Sequence, residues 1–262
     1  IFILTGDGDG GHTPSIGILK SDNSGATWSR TSVVFNPLTF ILGYKLMVDP
    51  TNSSKMFAIT TDGIYRTTDS WATFTKTSTL SFYDAEFKPG DSNIMYASRS
   101  SSLYRSTNNG VSWTQITSGL TGGITSSSRV SIGVTAANSA YVYLLCGGSG
   151  GFKGMYRSTD SGVNFSLRSS TPNTLGYATD GSDGSSQASY DLTIGVDPSN
   201  AETVYTGGII VWKSTNGGTS WTCKTNWYEP VPPGFTYNHA DQHVFEFKGS
   251  TIFTGSDGGI YK

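Results

Sequence analysis

Short apolar runs of a few residues, each followed by a turn and a second run, recur along the whole chain. Leu46-Met47-Val48-Asp49-Pro50 leads to Lys55-Met56-Phe57-Ala58-Ile59, and Ala85-Glu86-Phe87-Lys88-Pro89 to Ile94-Met95-Tyr96-Ala97. Ser131-Ile132-Gly133-Val134 leads to Tyr141 through Leu145, Leu192 through Pro198 to Thr203-Val204-Tyr205-Thr206, and Val244 through Lys248 to Thr251 through Thr254. Runs of this length between Pro, Asn and Ser turns predict β-strands throughout. A third strand with a basic end follows each pair: Ile64-Tyr65-Arg66, Leu103-Tyr104-Arg105, Met155-Tyr156-Arg157 and Val211-Trp212-Lys213, with Ile18-Leu19-Lys20 ahead of them.

After each basic residue comes one eight-residue turn. It reads Ser21-Asp22-Asn23-Ser24-Gly25-Ala26-Thr27-Trp28, and it returns at 67–74, 106–113, 158–165 and 214–221. The third position holds Asn23, Asp69, Asn108, Asp160 or Asn216, and the eighth holds Trp28, Phe74, Trp113, Phe165 or Trp221. An Asp or Asn side chain there accepts backbone N–H bonds across its own turn, and Ser or Thr does so as well. Gly at the fifth position supplies a positive φ without a Cβ penalty. The closing aromatic packs back over the hairpin. Trp71 stands where Gly is usual, so a distorted turn is expected there.

The turn opens a fourth strand, and its closing aromatics lie 39–56 residues apart. Four strands per repeat at that spacing predict the blades of a β-propeller. Complete blades fall at 42–77, 82–117, 129–168 and 190–224. Residues 1–31 supply the last three strands of a blade, and 240–262 the first three of another. The whole chain, 1–262, therefore reads as a single propeller region, a window on a larger propeller of roughly seven to ten blades.

The turn resembles the Asp-box, or BNR repeat. In Asp-box families it lies on the outer edge of a propeller, away from the ligand site, which implies a structural role for all ten residues named above. Along its length the chain resembles secreted bacterial propellers of sortilin-like and glycosyl-hydrolase-like type. The residues that carry this are Gly6-Asp7-Gly8-Asp9-Gly10-Gly11, the Asp-Pro-x-Asn hairpins, and His239-Ala240-Asp241-Gln242-His243 ahead of Gly255-Ser256-Asp257-Gly258-Gly259-Ile260-Tyr261. The resemblance implies a secreted or cell-surface protein exported by type IX secretion, with a sorting domain beyond Lys262. Sialidases and xyloglucan-cleaving glycoside hydrolases share the Asp-box. The Arg-Ile-Pro signature of sialidases is absent here, and Arg30, Arg99, Arg129 and Arg168 share no common locus. A xyloglucanase needs two opposed carboxylates about 6.5–9.5 Å apart, for which Asp7 or Asp9 with Asp241 is the pair to nominate.

Composition narrows the partners. Charged residues make up 14% of the chain, the net charge is −2 and the pI is about 5.9, which leaves no electrostatic footprint for nucleic acid. No apolar run approaches the about 18 residues of a transmembrane segment. The partner expected is a polysaccharide, glycan or protein.

In a propeller the loops joining the fourth strand to the next first strand share one face with those joining the second to the third, and long loops on a rigid scaffold carry binding. All three histidines fall there. His239, Asp241 and His243 point one way if their segment is extended, a set that suits a divalent transition metal. Asp7 and Asp9 among glycines suit a Ca2+ cage or an ordinary glycine-rich turn; hydrogen-bonded side chains fixing the channel mouth are the alternative for the histidine set. The 224–240 connection carries Trp227, Tyr228, Phe235 and Tyr237 on a proline-stiffened loop, able to stack on sugar rings or a peptide. The insertion from Ser169 to Ser189, with Tyr177, Asp180 and Asp183, reads as a flexible part of the rim. Together these features predict a non-catalytic recognition scaffold, with a glycoside hydrolase as the second reading.

Overall fold

A computed structural model describes all 262 residues. Every regular element but two short 3-10 turns, Pro37–Thr39 and Gly122–Ser126, is a β-strand. Four sheets are complete four-stranded antiparallel meanders whose strands lie side by side in chain order. Blade II comprises Gly43–Asp49, Asn52–Thr60, Gly63–Thr67 and Thr75–Ser78, and blade III Asp84–Lys88, Asp91–Ser98, Leu103–Ser106 and Thr114–Ile116. Blade IV comprises Arg129–Val134, Val142–Gly148, Gly151–Ser158 and Ser166–Ser169, and blade V Thr193–Val196, Val204–Gly207, Val211–Ser214 and Thr222–Cys223. Three-stranded sheets precede and follow them: blade I (Phe2–Leu4, Gly17–Lys20, Ser29–Val34) and blade VI (Gln242–Lys248, Thr251–Ser256, Gly259–Tyr261). A short parallel pair, Thr225–Asn226 with Thr236–Tyr237, lies between blades V and VI in sequence.

The chain divides into two compact units. One holds residues 1–87, 91–99 and 104–114, and the other 88–90, 100–103 and 115–262. In the first, Met47, Phe57, Ile59, Ile64, Phe82, Ala85, Met95 and Ala97 form a core between the faces of blades II and III. In the second, Leu145, Phe152, Met155, Leu192, Ile194 and Val196 do the same between blades IV and V. Innermost strands approach closely here. A Cβ on Gly133 would lie 2.9 Å from Val196, and one on Gly195 would lie 3.0 Å from Phe245. Glycine at these two places lets neighbouring first strands converge.

The five repeated turns are one structure built five times. In each, the first hydroxyl donates to the third residue's side-chain oxygen, the fifth N–H donates back to that hydroxyl, and the seventh N–H donates to the third residue's oxygen. The three distances are 2.7, 2.9 and 2.9 Å at Ser158, Asp160, Gly162 and Asn164, and 2.9 Å for all three at Ser214, Asn216, Gly218 and Ser220. Asn23 and Asn108 accept in the same way, from Thr27 and Ser112. The fourth and fifth residues are left-handed in every copy.

The distortion expected at Trp71 does not occur. Its N–H donates to Thr67 Oγ1 at 3.0 Å, Thr73 N donates to Asp69 Oδ1 at 2.9 Å, and Trp71 adopts φ 66° like the glycines. What differs is the space in front of the fifth residue. A Cβ on Gly110 would meet Phe57 at 2.5 Å and one on Gly218 would meet Met155 at 2.6 Å. At position 71 the indole instead fills the core of Ile18, Val33, Phe35, Met56 and Tyr65, and only 1% of it is exposed. Burial of that ring, worth a few kcal/mol, outweighs a left-handed strain of about 1–2 kcal/mol.

The closing aromatics are graded. Phe165 is buried, Trp113 and Trp221 are half-buried, and Trp28 and Phe74 are partly exposed. Basic residues near the turns tie blades together: Arg66 Nε donates to Asn109 O at 2.9 Å, and Arg168 to Gly217 O at 3.0 Å. Cys146 and Cys223 are free and buried. No helix is long and apolar enough to cross a membrane.

Candidate functional site

The second unit gathers an unusual set of polar groups where the chain turns into the first strands of blades V and VI. Asp191, two residues before Thr193, is fully buried. No hydrogen-bond donor from another residue reaches either of its oxygens. Burial, followed by the charge of Asp241 and a hydrogen bond to it, pushes the Asp191 carboxyl up to about 8; its own backbone N–H and the charge of His243 oppose the shift. Burial and the neighbouring Asp241 charge thus favour the protonated form of Asp191. A buried carboxyl beside a second carboxyl holds its proton unless a counter-charge offsets the repulsion.

Around this pair the contacts are long-range. Gln187 Nε2 donates to Asp241 Oδ1 at 3.4 Å, and Tyr190 Oη donates to both oxygens of Asp257 at 3.0 Å. His243 Nε2 lies 2.8 Å from Asp257 Oδ1, with the Tyr190 ring edge-on to the imidazole at 4.9 Å. Gln242, fully buried, donates to the His239 carbonyl at 2.5 Å and accepts from Asn238 at 3.2 Å.

The expected one-sided array of His239, Asp241 and His243 is not formed. The strand begins only at Gln242, and Asp241 is left-handed at φ 65°, so the period-two alternation breaks between the first and last members. His239 Nδ1 sits 3.2 Å from the Ala240 carbonyl while His243 faces Asp257. In the first unit Asp7 Oδ1 accepts from Gly10 N at 2.8 Å, capping its own turn, and Asp9 lies in the same loop. No group of three or more His, Cys, Asp or Glu side chains is arranged to hold a metal ion. The donor sets read from the sequence thus do not fit a metal centre as they stand.

The aromatic loop divides in two. Trp227 and Tyr228 stay at the surface, 37% and 48% exposed, and meet edge to face at 5.7 Å. Tyr177 of the insertion, 39% exposed, joins them 6.2 Å from Trp227. Phe235 turns inward against the core of Ile209, Ile210, Trp212 and Cys223. Tyr237 packs on Tyr261 at 6.0 Å and lines a separate cavity of about 240 Å³ with Tyr205, Lys224, Ile252 and Lys262. Proline-stiffened sequence identified the loop but could not say which rings point out.

The insertion is not a loose segment. Asp183 accepts from Tyr177 N at 2.6 Å and Ala178 N at 2.9 Å, and Asn173 Nδ2 donates to Asp183 Oδ1 at 2.8 Å. Phe152 N donates to Asn173 Oδ1 at 2.8 Å, and Arg129 holds the Tyr190 carbonyl at 3.0 Å. Sequence reading named Asp183 and Tyr177 without their partners, and it missed Asp191, Gln187 and Tyr190. The one local signal was an Asp directly before the apolar Leu192–Val196 run.

A second charged cluster lies on first strands of the other unit, where Lys45 Nζ bonds Asp84 at 2.9 Å and Glu86 at 2.5 Å. Burial works against the ammonium, but the two carboxylates overcome it and raise the lysine's affinity for its proton.

No protein-family model matches the chain, and no curated protein does. Solved structures do match. The chain aligns over 97% of its length with an ancestral GH74 enzyme at TM-score 0.64 and 17% identity, spanning 34% of that protein. It aligns over 94% with YCF48 bound to D1 peptide, at TM-score 0.59 and 17% identity and over 70% of that chain. It aligns over 99% with the extracellular domain of a one-component system from B. thetaiotaomicron, at TM-score 0.63 and 14% identity and over 30% of that chain. The fold is that of a β-propeller. At these identities the likeness fixes the fold and its four-stranded blades, and the neighbours divide between enzymes and a peptide-bound protein.

Proposed function

We propose that this chain is part of a secreted or cell-surface, non-catalytic β-propeller that recognises a glycan through the exposed surface of Tyr177, Trp227 and Tyr228, on a scaffold fastened by Asp-box turns. The observation that carries the reading is that three aromatic rings from two separate loops meet at the surface. Exposed aromatic clusters mark binding sites, because each ring offers a large rigid face at small entropic cost. The extracellular setting suits a glycan ligand, and the neighbours' likeness is compatible with it. A glycan-array screen of the wild-type protein beside Trp227→Ala and Tyr177→Ala tests the reading. Selective binding lost in both variants supports it, and binding indifferent to both overturns it.

The second reading, a glycoside hydrolase, draws on the Asp191–Asp241 pair and on the likeness to GH74 enzymes. Geometry weighs against that pair as the catalytic one. Both hydrolase geometries, an inverting pair about 6.5–9.5 Å apart and a retaining pair about 5–5.5 Å apart, need each carboxyl open to the sugar. Asp191, with no exposed surface, cannot touch a sugar. Hydrolysis of xyloglucan oligomers by the purified chain, abolished in Asp241→Asn, would reverse this ranking.

A further inference from the structure

The charges around the aromatic surface restrict what it can hold. The insertion 169–189 and the segment 225–247 together carry Asp180, Asp183, Glu229, Asp241 and Glu246 and no Lys or Arg, with Arg168, Lys224 and Lys248 standing immediately outside them. Two of these carboxylates stand close in sequence to residues that carry the rings. Asp183 Oδ2 is 2.6 Å from the Tyr177 amide nitrogen, and Glu229 follows Tyr228 in the chain, its Oε2 accepting from Val231 N at 3.2 Å. Each is fixed by the backbone N–H groups it accepts, and neither is neutralised by a basic side chain in its own loop. Arg129 meets the insertion only at the carbonyls of Ser189 and Tyr190, at its far end, while Lys153 approaches it from blade IV, a Cβ on Gly150 lying 3.6 Å from Lys153 Nζ and 3.7 Å from the Gly184 carbonyl. Lys224 and Lys262 line the separate cavity beside Tyr237.

Aromatic faces carry the negative lobe of a quadrupole and attract cations that approach within about 6 Å. Fixed carboxylates at the margin add to that field and repel anions. Resting on the glycan reading above, we infer that the Tyr177–Trp227–Tyr228 surface takes a polysaccharide bearing free amines, of the glucosamine type. The apolar C–H face of the sugar lies on the rings and its ammonium groups face Asp183, Glu229 and Asp180. Uronate and sialylated glycans are excluded by the same charges.

The experiment is isothermal titration with three oligomers of equal length: β-1,4-linked glucosamine, its N-acetylated counterpart and a galacturonate. The glucosamine oligomer is expected to bind at least about tenfold more tightly than the N-acetylated one, with affinity falling as salt rises, and the galacturonate not to bind. Glu229→Gln and Asp180→Asn, both at exposed positions, should each reduce the preference for the amine several-fold. Trp227→Ala should abolish binding of every oligomer. Equal or tighter binding of the N-acetylated or galacturonate oligomer, still lost in Trp227→Ala, overturns the amine assignment and leaves the glycan reading standing. Binding of no oligomer, or binding unaffected by Trp227→Ala, overturns both; tighter capture of oligolysine than of any sugar also overturns the glycan assignment, in favour of a basic peptide.

Discussion

The five repeated turns and the rim between blades IV, V and VI use the same chemistry over different ranges of chain. In both, a side-chain oxygen of Asp or Asn accepts hydrogen bonds, from backbone N–H groups in the turns and from the Gln187 and Tyr190 side chains at the rim. At Asp160 those donors are three and four residues away, and the Ser158 hydroxyl that completes the turn is two residues away. At the rim Gln187 and Asp241 are 54 residues apart, and Tyr190 and Asp257 67 apart. A local network forms as soon as its eight residues are in place, and it can be copied from blade to blade. A long-range network forms only after the blades have assembled, and each of its members is specific to one place. The turns thus hold a scaffold together, while the rim is where this chain differs from blade to blade.

The comparison also shows in how protons are held. Asp69 is held down at about 2 by the Thr73 side chain and amide and the Thr67 hydroxyl. Asp160 is held at about 2 as well: burial works against it, but the Asn164 amide and side chain and the Ser158 hydroxyl prevail. Both carboxylates stay ionised and contribute stability above an ordinary Asp value, which is lost as pH falls toward 2. Asp191, pushed up to about 8, has the opposite sign. Its contribution is fully present below the ordinary Asp value near 4 and is lost as pH rises through 8.

The comparison can be broken most forcefully at Trp71, the one turn whose fifth residue is part of the core. Trp71→Ala should cost about 3–5 kcal/mol by loss of a buried ring, measured by chemical denaturation. A cost under about 1 kcal/mol would show that the ring adds nothing to that core. A smaller effect is expected at Ser158, which is buried in its turn. Ser158→Ala leaves the Gly162 and Asp160 amides without their acceptor and should cost about 1–3 kcal/mol, with glycan affinity unchanged.

The rim responds to pH instead. Between about pH 4 and 8 the folded protein retains a proton on Asp191 that the unfolded chain has released, so stability should decline by up to about 1.4 kcal/mol per pH unit. The charges facing Asp191 are Asp241 and His243, and His243 in turn meets Asp257. Asp191→Asn keeps a donor toward Asp241 but removes the titration. Thermal melts from pH 5 to 9 should then show the slope in the wild type and its loss in the variant; an unchanged slope would locate the titration elsewhere. The smallest stability effect belongs to Trp227. Trp227→Ala, at a partly exposed ring, should shift stability by no more than about 0.5–1 kcal/mol.

How much of this was legible follows from the same distinction of range. The five turns could be read almost bond by bond, since Ser158, Asp160, Gly162 and Asn164 are written next to one another. So could the four-stranded blades, because each apolar run and its turn lie within one repeat. Trp71 misled because the residue type at the fifth position was visible but the volume offered by Ile18 and Val33 was not. At the rim, sequence indicated the two loops but not the contacts that hold them. His239 and His243 were placed on one extended face because nothing local announces that Asp241 is left-handed. Asp191 passed unnoticed because its partner lies 50 residues on, and the exposed trio could not be assembled from the sequence because Tyr177 and Trp227 lie in different loops.

The most direct test of the account is to measure glycan affinity and melting temperature together for Tyr177→Ala, Trp227→Ala and Ser158→Ala. The account predicts that the two rim variants lose binding at least about tenfold with melting temperatures near that of the wild type, while Ser158→Ala melts several degrees lower and binds normally. Rim variants that melt early and bind as the wild type does would contradict it, placing those rings with the scaffold.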